Sequence, residues 1–244
     1  MRTVAITDCR ISPDAERRLT LLGFRVITLP PYKTLPEAVA SHTDMLIAKI
    51  GNEFITTADY CEVAPWVFTD LYDLTRGRGI RVSFTSDELG GRYPYDCLLN
   101  VLVMGEYIFA KTDTVSPYIL ERAKAQGFRV IHVNQGYPAC TVLRLDDKHA
   151  ITADRGMARA MREVGITVYE IHDGDISLPP HEYGFIGGCA GVHRGRIYFN
   201  GNPETHRDFE IIRGACQECH LEIVSLTDGI LSDLGGFIFA EGDL

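Results

Sequence analysis

No lysine- or arginine-rich run, no apolar stretch long enough to span a bilayer and no export signal occur in these 244 residues. Acids outnumber Lys and Arg 33 to 24, a net charge of -9, so neither nucleic acid nor an anionic membrane is an expected partner. The opening MRTVAITDCR has neither an apolar core nor a small-residue cleavage site, which predicts a soluble, cytoplasmic protein. The seven cysteines are scattered and odd in number, a pattern of reduced thiols rather than of a disulfide framework. No Gly-x-x-x-x-Gly-Lys phosphate loop is present, and no G-x-G-x-x-G follows a strand. CQECH at 216–220 spells a haem attachment site, but it falls at a predicted helix end without an export signal, and a zinc site there would need a second ligand pair. No cofactor and no metal are therefore expected.

What is present is a repeat. ISPDAERRLTLLGFRVI at 11–27 aligns without a gap on VSPYILERAKAQGFRVI at 115–131, with one offset of 104 residues for Ser-Pro (12 to 116) and for GFRVI (23 to 127). Each copy reads as a Ser N-cap, Pro at the first helical position, an amphipathic helix, a Gly stop and a β-branched strand. Weaker copies run over 63–84, 152–171 and 201–226, and in the first two of these Pro65 and Asp154 start the helix; in the last, Pro203 does. Paired strand-like runs precede the helices, turning at Gly51-Asn52, Gly105-Glu106, Asp146-Asp147 and Arg194-Gly195.

The unit is ββαβ, and there are five. The fifth is split: 236–243 supplies its first strand and 3–8 its second, with Phe237–Ala240 expected beside Val4–Thr7. The predicted fold is one α/β domain over 1–244, a five-fold pseudosymmetric α/β propeller of ββαβ units closed by the N- and C-termini.

Five such units in a ring resemble the pentein fold of the guanidine-modifying superfamily, which includes arginine and agmatine deiminases, dimethylarginine hydrolases and amidinotransferases; ribosome anti-association factors share the fold without catalysis. The resemblance implies that the first strands line a central axis and that the segments leading into them meet at one mouth. Here those segments are SHTDMLI, GGRYPYDCLLN, NQGYPACTVL, FIGGCAGVH and LGGFIFA. It also implies a cysteine nucleophile, a histidine acid/base and carboxylates that grip the guanidinium. Asp44 matches a family carboxylate position, and Asn100 stands where a substrate-binding acid often sits. The family histidine belongs before the middle unit, where this chain has YPACTV; the family cysteine belongs in GG-x-I-x-C, where this chain has Ala240.

The expected function is thus a pentein-like protein without the standard guanidine-modifying pair, binding a small polar or cationic ligand or a partner at the mouth. The alternative is a cysteine-dependent amidino-group hydrolase or transferase acting on an arginine-like compound. In that alternative the nucleophile is Cys189 or Cys140, with Asp44 as the guanidinium-binding carboxylate the resemblance implies and a histidine delivered by a loop, since His193, four residues on from Cys189 along a strand, lies about 13 Å from it. Cys140, Asp96, Asn100, His193, Tyr95 and His181 are the candidate ligand-binding groups, the last on a long polar loop over 172–188. These residues leave the oligomeric state open.

Overall fold

The computed structural model describes residues 3–241. In chain order, β1 (Thr3–Asp8), α1 (Pro13–Leu21) and β2 (Phe24–Leu29) are followed by α2 (Thr43–Leu46), β3 (Ala48–Ile50), β4 (Glu53–Thr57), α3 (Ala58–Val63), α4 (Pro65–Thr75) and β5 (Arg81–Thr85). Next come β6 (Leu102–Met104), β7 (Tyr107–Ala110), α5 (Pro117–Ala125) and β8 (Arg129–His132), then α6 (Pro138–Thr141), β9 (Val142–Arg144), β10 (His149–Thr152), α7 (Arg155–Glu163) and β11 (Thr167–Glu170). The remainder is β12 (Ile176–Ser177), β13 (Ala190–His193), β14 (Arg196–Phe199), α8 (Phe209–Glu218), β15 (Glu222–Ser225), β16 (Leu231–Ser232) and β17 (Ile238–Glu241).

This is a mixed α/β fold of small sheets. The three-stranded ones are β17-β1-β2, β3-β4-β5, β6-β7-β8, β9-β10-β11 and β13-β14-β15, and β12 with β16 forms a short parallel pair. In each three-stranded sheet the middle strand is antiparallel to the first and parallel to the third. A short turn makes the antiparallel pair in four of the sheets and the two ends of the chain make it in β17-β1-β2, while a helix carries the chain back for each parallel pair. Gly51, Gly105, Arg194 and Gly195 take positive φ in the turns, as a two-residue hairpin demands.

The helix signals translate unevenly. Ser12 accepts from the N–H of Ala15 and Asp154 from that of Met157, so both cap their helices, and Gly23, Gly127 and Gly165 end theirs with φ between +84° and +95°. Ser116 does not cap. Its hydroxyl turns away and donates to Asp87 at 2.5 Å. The helix expected from Pro203 starts at Phe209; Pro203–Thr205 forms only a 3₁₀ turn, held by the Asn202 side chain on the N–H of Glu204. At the chain ends, β17 runs antiparallel to β1 with Val4 opposite Ala240 and Thr3 opposite Glu241. The pairing spans Ile238–Glu241 rather than Phe237–Ala240, and positions 242 and 243 of the expected strand lie outside the described residues.

The first strands of the five sheets share a cavity of about 420 Å³, to which β3 contributes Lys49, β6 Val103, β9 Leu143, β13 Val192 and β17 Phe239. Among the described residues no helix is long and apolar enough to cross a membrane. All seven cysteines are unpaired.

Candidate functional site

Each of those first strands is preceded by a segment whose backbone bends sharply, and polar side chains from these segments meet. The run Ser41-His42-Thr43-Asp44 leads into β3 and is buried throughout, an unusual fate for four consecutive polar residues. The short helix α2 is what allows it, because one helical turn carries His42 and Asp44 inward without extending the strand. Helix α6 does the same before β9 and delivers Cys140. Asn100 comes from the segment before β6, and Asp233 from the one before β17.

Cys140 Sγ donates to Asp44 Oδ2 at 2.6 Å. The Asn100 amide spans the pair, with Nδ2 3.3 Å from Cys140 Sγ and 3.3 Å from the Asp44 carbonyl, while its Oδ1 accepts the N–H of Ala139 at 2.9 Å. His42 Nδ1 lies 3.8 Å from Asp233 Oδ1, beyond hydrogen-bond range. Neither ring nitrogen of His42 and not Oδ1 of Asp44 has a hydrogen-bond partner, although all three atoms are buried. Asp233 is better supplied, accepting the N–H groups of Phe185 at 2.8 Å and Gly235 at 3.0 Å.

Burial dominates the electrostatics. It raises Asp44 to about 8, with the negative charge of Asp233 adding to the effect, and raises Asp233 to about 6. It lowers His42 to about 3, helped by the positive charge of Arg10. The Cys140 thiol is pushed well above its ordinary range by burial and then by Asp44 and Asp233. At neutral pH the floor of the site therefore rests with a thiol, a neutral imidazole and a protonated Asp44.

Above this floor a cavity of about 420 Å³ opens, lined among others by His42, Cys140, Asp233, Asp96, Tyr137 and His181. Tyr137 donates to both oxygens of Asp96, at 3.0 and 2.9 Å. Burial raises Asp96 against the opposing pull of that bond.

Asp44, Asn100 and Cys140 are thus brought together by the structure, with Asp96 and His181 on the cavity wall. Cys189 is completely buried, donates to the Phe185 carbonyl at 3.1 Å, and is raised well above its ordinary range by burial and by Asp233. His193 belongs to a different surrounding: Nε2 lies 3.2 Å from Thr3 Oγ1 and the ring stacks on Phe239. Tyr95 is 67% exposed and is not on the cavity wall. Sequence reasoning did not single out His42 or Asp233. The signals were the -His-Thr-Asp- spacing before β3 and an Asp two residues ahead of the Gly235-Gly236 pair.

Residues 6–238 match a family of unknown function, DUF6873. No curated protein matches the chain by sequence. Solved structures with a similar fold include the DDAH of Pseudomonas aeruginosa, as a mutant complexed with citrulline (11% identity, 92% of each chain, TM-score 0.56). SxtG, an amidinotransferase from Microseira wollei in the saxitoxin biosynthetic pathway, matches at 13% identity over 93% of this chain and 78% of its own, with TM-score 0.53. The N-terminal domain of ArgZ, covalently bound to a reaction intermediate, matches at 13% identity over 92% and 90%, with TM-score 0.50. These are pentein-fold enzymes, and at such identity the likeness is one of fold.

Proposed function

The chain belongs to DUF6873, a family of unknown function, and from the site itself we propose that it is a pentein-type protein that binds a small cationic ligand of the guanidine or amidine class at its mouth. The observation that carries this is the charge of the cavity. Its charged wall residues are Asp96, Glu182 and Asp233, with no lysine or arginine among the described residues that line it. A planar cation with several N–H groups satisfies carboxylates in pairs.

The proposal includes the ring itself: one domain of five ββαβ units around an axis, closed where β17 meets β1. The common order of the five sheets, the cavity shared by their first strands and the pairing of Thr3 with Glu241 support it. Seven free thiols fit a reducing, cytoplasmic setting.

Binding without turnover is favoured because no thiol at the mouth is poised as a thiolate. A catalytic reading has one observation behind it, the contact of Cys140 with Asp44 beside His42. In that reading the substrate's charge ionises Asp44, and the Cys140 thiol passes its proton to Asp44 along their hydrogen bond as sulfur adds to the guanidinium carbon. The C–N bond then breaks, ammonia leaving with that proton, and water hydrolyses the S-alkylthiouronium to a ureido product and free thiol.

The test is a thermal-shift titration with guanidinium, agmatine and arginine, with and without chelator, alongside assays for released ammonia and ureido product. Stabilisation is expected, about 2.7 kcal/mol at a ligand concentration one hundred times Kd, and it should be lost in Asp233→Asn and weakened in Asp96→Asn. No product is expected. Absence of any shift with all three cations would sink the binding proposal; turnover abolished by Cys140→Ser would establish the catalytic one in its place.

A further inference from the structure

Two groups of metal-ligating side chains occur among the described residues: His42, Asp44 and Cys140 at the floor of the mouth, and Asp146, His149 and Cys219 elsewhere. The second has internal partners. Asp146 accepts from the N–H groups of Lys148 and His149 and pairs with the His149 ring at 2.9 Å, so its carboxylate is already served.

The first group differs in three respects. One nitrogen, one oxygen and one sulfur lie within 4.8 Å of one another. The imidazole of His42 is 1% exposed yet neither ring nitrogen has a partner, and Oδ1 of Asp44 is likewise unpartnered. A buried polar atom without a partner carries its full desolvation cost, of roughly 1–3 kcal/mol. Gly235 lets the chain close over these groups: a Cβ there would fall 2.7 Å from Asp44 Oδ1 and 2.7 Å from His42 Cβ.

We propose that His42, Asp44 and Cys140 form a binding site for one divalent transition metal of the zinc type, with a fourth position facing the cavity. Mixed nitrogen, oxygen and sulfur donors suit a borderline-soft ion, and three protein ligands with one open position are the pattern of an accessible zinc centre rather than a closed structural one. Carboxylate and imidazole reach it through short rearrangements. The Cys140–Asp44 hydrogen bond is exchanged for two metal bonds, the thiol proton and any proton on Asp44 leave to solvent, and no electron changes hands. A dication bound by one thiolate and one carboxylate is neutral overall, so it does not repel a cationic ligand held by Asp96 and Asp233. The site goes beyond the ligand-binding proposal and does not depend on it.

Sequence spacing hides this site. Cys140 and Asp44 are 96 positions apart, on different ββαβ units, and no short motif joins them.

The experiment uses the whole protein, stripped with chelator and titrated with Co²⁺ at pH 7.5, followed in the near ultraviolet and the visible. A thiolate-to-cobalt charge-transfer band saturating at one ion per chain is expected, with Zn²⁺ displacing it. Cys140→Ser should abolish the band and His42→Ala should weaken Zn²⁺ binding by at least about tenfold. Cys219→Ser should leave both unchanged. The wild-type spectrum needs no variant to fold: if it lacks the band, or if Cys219→Ser removes it, the proposal is overturned. Guanidine binding is scored separately in chelator, so failure of one proposal leaves the other standing.

Discussion

At Gly188 a single added carbon would fall 1.7 Å from Oδ1 of Asp233. In the sequence, the glycines of the segments leading to the mouth read as places where a ligand approaches the backbone closely. In the structure it is the protein itself that approaches. Gly188 admits the Asp233 carboxylate, and Gly187 admits the carbonyls of Ala139, Cys140 and Val142, each within 2.6 Å of where its Cβ would be. These positions pack the segments together so that their polar groups can meet, one step earlier than ligand contact. Gly188→Ala is therefore expected to displace Asp233 from the N–H groups of Phe185 and Gly235, to cost about 1–3 kcal/mol in overpacking, and to remove the thermal shift given by guanidine compounds. Gly214, on the exposed side of α8, would bring a Cβ into open space, and Gly214→Ala should stabilise by about 0.5–1 kcal/mol. Urea denaturation of the two variants checks both signs; a neutral Gly188→Ala would mean that Asp233 is not held as described.

Between elements, the local grammar of caps and stops was readable where it involved neighbours in sequence. Ser12 and Asp154 cap because the N–H they serve is three residues on. Ser116 has the same spelling and a different duty, since Asp87, 29 positions away, offers it a stronger, charged acceptor. Glu53 is a second such case, and nothing in the sequence marks it. It is buried on β4 and accepts from Arg122 at 2.9 Å and Gln126 at 2.8 Å, both of α5 or its C-terminal end, and from Ser83 of β5 at 2.6 Å. Burial pushes its carboxyl up, but the bonds from Arg122 and Ser83 outweigh it, so the folded pKa lies below the ordinary 4.5. A depressed carboxyl contributes stability that is complete above the unfolded pKa and is lost as pH falls through the folded one. Glu53→Gln should thus destabilise by about 1.5–3 kcal/mol at pH 7, the range for hydrogen bonds to a charged group. The gap from wild type should close as both are taken below about pH 4. A gap that stays constant down to pH 3 would remove the charge from the explanation.

For the molecule as a whole, the constant offset of 104 residues and the orphan strands at the two ends were enough to foresee that β17 joins β1, since a half-unit at each end of a repeat array has one economical partner. The composition of the mouth was not foreseeable in the same way. His42, Asn100, Cys140 and Asp233 come from four different sheets' approaches, and which of their side chains share a floor depends on how the sheets are turned about one another. Closure itself can be tested without reference to the site. Thr3 and Glu241 are paired, so a short flexible linker can join the ends without strain. New termini can be opened between Gly77 and Arg78, in the turn that follows α4 and whose glycines take positive φ. If the five units form a ring, this permutant keeps every strand pairing and should show a cooperative melt close to that of the original chain, with the same response to guanidine compounds. Deleting residues 238–244 removes one strand from the β1 sheet and one wall from the shared cavity, leaves the buried edge of β1 unpaired, and should abolish the cooperative melt. A deletion as stable as the intact protein would show that the pairing of β17 with β1 is dispensable and would count against a closed ring.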